Sequence, residues 1–179
     1  MRRIAALPPD AAPPKSAELL EGIMARHGDV GEMVSTMAHS PATLQGYLDF
    51  SRAMKRAATP RKVSEKVSLA LQEWIGCGTC LAAHVDAARS LGLSETDIAL
   101  ARQGTSTDAR ETVLIAFALA VLAEPSSIGD ADIERLRAHG WSDRVITEIP
   151  ALVALNQLTG TFNLVAGLQP DEQATAQAS

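Results

Sequence analysis

Aromatic side chains are nearly missing from this sequence: Phe, Trp and Tyr make up 3% of 179 residues, although apolar residues make up 46%. The core must therefore be built from Ala, Leu, Val and Ile, and these small or aliphatic side chains favour closely packed helices. Basic charge is short as well. Sixteen Lys and Arg against twenty-one Asp and Glu leave a formal net charge of -5, so neither nucleic acid nor an anionic membrane is an expected partner. No run of five or more like charges offers a binding tail. Long apolar runs are missing too. The longest, VLIAFALAVLA at 113–123, is about half of the ~20 residues that span a bilayer. The apolar stretch Ile4 to Leu7 behind two arginines is too short for a signal peptide. The chain is therefore read as soluble and cytoplasmic. Cysteine is limited to two residues. A chain of this length does not need disulfide staples, and in a reducing compartment a CxxC pair reads as catalytic or metal-binding.

What is present is a succession of helix signals. Residues 1–15 hold four prolines and read as a flexible, extended N-terminal arm. Residues 16–168 read as a single all-α domain, and 169–179 as a disordered tail. Ser16 is placed to cap a first helix that Gly28 ends. Ser40 with Pro41 and Thr59 with Pro60 pair an N-cap with proline at the first helical position. In the helix after Thr59, Val63, Val67, Ala70, Leu71 and Trp74 form the expected buried stripe. Gly76 breaks it, and a new helix is expected from about Cys77 to Leu91, stopped by Gly92. Ser94 with Asp97 and Asp108 with Glu111 read as capping boxes. Asp130 reads as a further cap, and Ser142 opens a last helical region that Pro150 is expected to kink or interrupt. There is also an internal echo: RSLGLSETDI at 89–98 resembles RAHGWSDRVI at 137–146, each a helix end, a glycine stop and a serine start.

The chemistry is concentrated in EWIGCGTCLAAH, residues 73–84. On a helix Cys77, Cys80 and His84 share one face, with Cys80 and His84 direct neighbours at i and i+4. Gly76 and a helix start at Cys77 set the thiols among free backbone N–H groups at the positive end of the dipole, which favours thiolate. Thiolate attacks peroxides and disulfides, and a second cysteine at this spacing can close on the first. The segment thus supplies a nucleophile, a resolving thiol and a proton carrier. Other readings stand beside this one. The two thiols can be plain core packing. Cys77, Cys80 and His84 can also serve a zinc-binding helical module, although a closed structural site needs four ligands and no second CxxC or HxxxH exists. His27, His39 and His139 each stand alone. Glu65 lies one helix earlier on the line of Ser68, Leu69 and Gln72; by itself it reads as a solvated glutamate, but the short connection allows a contact to His84. Asn156 and Asn163, seven apart in the last helix, read as buried structural hydrogen-bonding groups.

Glu65, then CGTCLAAH followed by LGLSE, resembles the AhpD-like family of the carboxymuconolactone decarboxylase superfamily. MAHSPATLQGYLDF upstream and ALNQLTGTFNLVAG downstream resemble the family's flanking helices, so the resemblance spans roughly residues 30–168. It implies an AhpD-like helical bundle with its CxxC motif at a helix N-terminus, assembled as a homo-oligomer, a trimer or hexamer. It implies a thiol-dependent peroxidase or disulfide oxidoreductase that needs no cofactor, acts on a hydroperoxide and is restored by a dithiol protein of lipoyl or thioredoxin type, with a peroxiredoxin as a further candidate partner. By the same resemblance Cys80 passes through a sulfenic acid, Cys77 is the resolving thiol and proton donor, and Glu65 with His84 forms the proton relay. The sequence departs from the pattern at Thr79, where family members commonly carry His or Tyr; threonine cannot titrate near neutrality. The superfamily also contains decarboxylases without a CxxC pair, which leaves a lyase as the remaining alternative.

Overall fold

The computed structural model describes residues 2–168 and, among them, contains helices and no strand. Nine α-helices follow in order: α1 (Pro14–His27), α2 (Glu32–Met37), α3 (Pro41–Met54), α4 (Arg61–Ile75), α5 (Gly78–Ser90), α6 (Glu95–Arg102), α7 (Ala109–Ala123), α8 (Asp130–Ala138) and α9 (Asp143–Ala166). The all-α expectation is met. Where one domain was expected over 16–168, the described residues group into two compact units, residues 2–55 with 162–168 and residues 56–161. The expected tail at 169–179 lies outside the described residues.

The first unit closes around Leu20, Met37, Ala38 and Leu44, with Leu7 and Phe162 packed against them. The segment read as an arm meets this unit at several points. The Arg3 N–H donates to Ala166 O at 2.8 Å, the Leu7 N–H to Ser35 O at 3.1 Å, and Pro9–Ala11 form a short 3-10 turn. Helix α1 begins at Pro14 rather than at a Ser16 cap, because proline is pre-set for the first helical position; Ser16 falls inside the helix and is fully buried. Ser40 caps α3 as expected, accepting from the Thr43 N–H at 3.2 Å.

The second unit is built around α4, which packs against α5, α6 and α7. Surrounded in this way, α4 buries every residue but Ser64 between Val63 and Gln72, polar ones included. Trp74 is the exception to the expected stripe: it is 60% exposed. One apolar cluster, Leu69, Val85, Ala88, Leu93, Ile98 and Ala101, joins α4 to α5 and α6. Several terminal residues do other work than expected. Thr59 does not cap α4; its N–H and hydroxyl both donate to Glu148 at 2.9 Å. Asp108 does cap α7, but Glu111 does not close a box with it and turns instead to Lys66 and Ser106. The Ser94–Asp97 box is present in both directions. Helix α9 runs through Pro150 without a break. By length and apolarity α9 would pass as a membrane span, yet its Ile149, Leu152 and Val153 are buried core of this unit.

The sequence echo is also structural. Gly92 and Gly140 both take positive φ, 75° and 81°. After each, the next N–H reaches back five residues, Leu93 to Ala88 O and Trp141 to Leu136 O, both at 3.1 Å. An arginine then bridges each turn to a carboxylate with two bonds, Arg89 to Glu95 and Arg137 to Asp143.

Candidate active site

The site is assembled where α4 ends and α5 begins. Gly76, at φ 80°, takes the left-handed conformation that ends α4. Gln72 O then accepts the N–H groups of both Gly76 and Cys77, at 2.9 and 3.2 Å. Cys77 is consequently held as the N-cap of α5, and its Sγ accepts the Cys80 N–H at 3.3 Å. Three residues on, Cys80 completes a Cys77–Cys80 disulfide whose Cα atoms lie 5.4 Å apart. The pair is 2% and 6% exposed. When the bond is reduced, a sulfur in the N-cap position is stabilised as thiolate by the N–H it accepts and by the helix dipole.

Glu65 is brought to the same place by α4. It is 6% exposed, and its Oε2 lies 2.7 Å from His84 Nδ1 while its Oε1 accepts from Arg61 Nε at 3.2 Å. Burial pushes the Glu65 carboxyl up, but the hydrogen bond and charge of His84, with those of Arg61, outweigh it and hold the carboxyl below its ordinary value. An ionised Glu65 can only accept, so Nδ1 of His84 carries the proton and donates. That leaves Nε2 as the nitrogen that takes a proton when the ring is neutral and gives one when it is charged. The solvated glutamate expected from sequence is thus a buried carboxylate that orients a histidine. His84 itself lies one helical turn beyond Cys80 on α5, its side chain 28% exposed, so the relay opens toward solvent.

All four residues singled out from sequence, Glu65, Cys77, Cys80 and His84, lie on α4 or at α5. Arg61 was missed, although its i,i+4 spacing to Glu65 was a readable signal. Arg61 also lines a pocket of about 410 Å³ with Pro60, Val63, Arg110 and Trp141. Lys66 was missed as well. It is buried among Glu111, Ser106 and Asp97, at 2.7, 3.2 and 3.4 Å. The isolated histidines stay isolated from this chemistry: His39 Nε2 meets Ala5 O and His139 Nδ1 meets Arg135 O. Among the described residues no group of three or more His, Cys, Asp or Glu gathers as a metal site, so the zinc reading gains no support.

Residues 41–124, which include the whole of α4 and α5, match the carboxymuconolactone decarboxylase family. The fold matches an AhpD-core peroxidase-related protein from Ralstonia eutropha JMP134 with a TM-score of 0.83, at 21% identity, over 97% of this chain and 94% of that one. The chain carries the AhpD-like fold. A peroxidase-related protein from Silicibacter sp. TM1040 shares this AhpD-like fold with a TM-score of 0.80, at 22% identity, over 97% of this chain and 95% of that one. The debrominase Bmp8 has it too, with a TM-score of 0.78 at 17% identity and the same two coverages. A search of curated protein sequences matched nothing.

Proposed function

We propose that this protein is a thiol-dependent peroxidase and disulfide oxidoreductase that works through Cys77 and Cys80. The observation that carries the reading is the pairing of an N-cap disulfide with a half-buried Glu65–His84 hydrogen bond one turn away. In the reduced protein the Cys80 thiolate attacks the outer oxygen of a hydroperoxide. The O–O bond breaks, Cys80 becomes a sulfenic acid, and the alkoxide leaves as alcohol with a proton delivered through His84. Cys77, stabilised as thiolate at the N-cap, then attacks the sulfenic sulfur, forming the disulfide, and the hydroxide released takes up a proton and leaves as water. An external dithiol, a lipoyl or thioredoxin-like protein, returns two electrons and two protons. Glu65 keeps the His84 ring oriented and stabilises it when charged. Exposed Trp74, three residues before Cys77, offers a contact surface for assembly into a homo-oligomer.

The test is a thiol count. Protein reduced with dithiothreitol and freed of it receives one equivalent of cumene hydroperoxide and is quenched in acid denaturant. The expected result is loss of both thiols and their return on adding dithiothreitol. Persistence of both thiols overturns the peroxidase reading.

The fold shared with a debrominase supports a second reading, reductive dehalogenation. The same two electrons would turn an aryl bromide and a dithiol into the arene, bromide, a proton and the disulfide. A cysteine-to-alanine variant of that debrominase was solved with 2,3,4-tribromopyrrole, which makes this compound the probe. Release of one bromide for every two thiols lost by the reduced protein would establish it.

A further inference from the structure

The thiol pair is held from behind by a buried amide network that the reaction itself does not use. Gln72, on the last turn of α4, is fully buried, and so is most of Asn156 on α9. Gln72 Nε2 donates to Asn156 O at 3.0 Å and to Asn156 Oδ1 at 2.9 Å. Asn156 Nδ2 donates to Ser68 Oγ at 3.1 Å and to Leu152 O at 3.0 Å. All four amide hydrogens are therefore used, which fixes how both side chains are turned. Gln72 Oε1 is left without a donor, facing Gly160. A Cβ at Gly160 would lie 2.8 Å from that oxygen and 2.9 Å from Ile75 Cγ2, so any larger residue must displace the Gln72 and Ile75 side chains. The backbone of the same Gln72 carries the N–H groups of Gly76 and Cys77.

We infer that Gln72, Asn156 and Gly160 are positioning residues that fix the N-cap place of Cys77 and thereby set the redox equilibrium of the Cys77–Cys80 pair. The chain of causes is short. Asn156 fixes the Gln72 side chain, Gly160 lets it sit, Gln72 O holds the Cys77 N–H, and Cys77 Sγ meets the Cys80 N–H. Displacing Gln72 loosens the cap. A reduced Cys77 then loses stabilisation as thiolate while the disulfide, which carries no charge, loses less. The equilibrium moves toward the disulfide, and the pair becomes a weaker oxidant.

This inference rests on Cys77 and Cys80 being the working pair, but its measurement involves no peroxide and so stands apart from the proposed activity. Gly160→Ala, Asn156→Ala and wild type are equilibrated in dithiothreitol buffers of graded reduced-to-oxidised ratio, in which the dithiol passes two electrons and two protons to the disulfide. Thiols are counted after an acid denaturing quench, and Tm is recorded in parallel. Leu136→Ala, a fully buried core residue of α8 outside the network, controls for lost stability alone; Asn156→Ser replaces any alanine variant that does not fold. The expected shift in the lock variants is about tenfold toward the disulfide, or about 30 mV for a two-electron couple, with Leu136→Ala unchanged. Constants equal to wild type despite a lowered Tm overturn the inference, and so does an equal shift in Leu136→Ala.

Discussion

Glu65 and Lys66 are neighbours on α4, both charged and both buried, yet they face different surroundings. Lys66 has one cation's worth of charge among two carboxylates and a hydroxyl. Burial alone would lower the Lys66 pKa, but the Glu111 and Asp97 partners outweigh it and raise it. Such a group stays charged across the working range and ties α4 to α6 and α7. Glu65 instead meets a group that can itself take and give a proton, His84, and a largely solvated arginine. One site is a fixed tie and the other a relay. Burial of charge does not distinguish them; the partner does, an imidazole in one case and carboxylates in the other.

Neutralising the two residues should separate these roles. Glu65→Gln is expected to cut peroxide consumption by about a hundredfold or more, the usual worth of a positioned proton-transfer group, with a smaller loss of Tm than Lys66→Met. Initial rates under saturating dithiol check this; wild-type rates would break the comparison. Lys66→Met should do the reverse, costing about 2 kcal/mol because the half-buried Glu111 and Asp97 lose the cation between them, while turnover per folded molecule holds. Urea unfolding alongside the same rate assay decides it.

Acid sharpens the contrast further. The folded Glu65 carboxyl sits below its ordinary value of 4.5, so its contribution to stability is fully present above that value and is lost as pH falls through the lowered folded value. Wild type should lose more Tm than Glu65→Gln on going from about pH 5 to about pH 3. Equal losses would mean that Glu65 is not held ionised by His84 and Arg61. Arg61→Gln should act in the same direction more weakly, since the Arg61 side chain is mostly exposed. Its expected effect is a rise in the pH at which the acid limb of activity falls, with the plateau kept.

The smallest effects come from the echoed turns. Gly92→Ala and Gly140→Ala each force a Cβ into positive φ and should each cost about 1 kcal/mol, without touching turnover. If the Gly92 variant alone lost activity, the turn after α5 would belong to the active site rather than to the architecture.

Helix order, the Ser40 and Ser94 caps and the glycine stops were legible because each depends on a few adjacent residues. So were Cys77, Cys80 and His84, whose relation is set within one helix. Glu65 was legible as a candidate but not as a buried group, since only the packing of α4 inside α5, α6 and α7 removes it from water. Thr59 and Glu111 carried the right chemistry for caps and were drawn off by tertiary partners, Glu148 and Lys66, that no local window contains. Trp74 failed the opposite way: the helical period placed it in the core, but it lies at the end of α4, next to the turn that starts α5, and remains largely exposed. The Gln72–Asn156 bonds, 84 residues apart in sequence, left no local trace at all.

The central claim is that Cys80 is the attacking thiol and Cys77 the resolving one. The most direct test is to treat reduced Cys77→Ser and Cys80→Ser with one equivalent of cumene hydroperoxide and trap sulfenic acid with dimedone, read by intact mass. The account predicts a dimedone adduct on Cys80 in Cys77→Ser and none in Cys80→Ser. An adduct on Cys77 in Cys80→Ser, with none in Cys77→Ser, would contradict it.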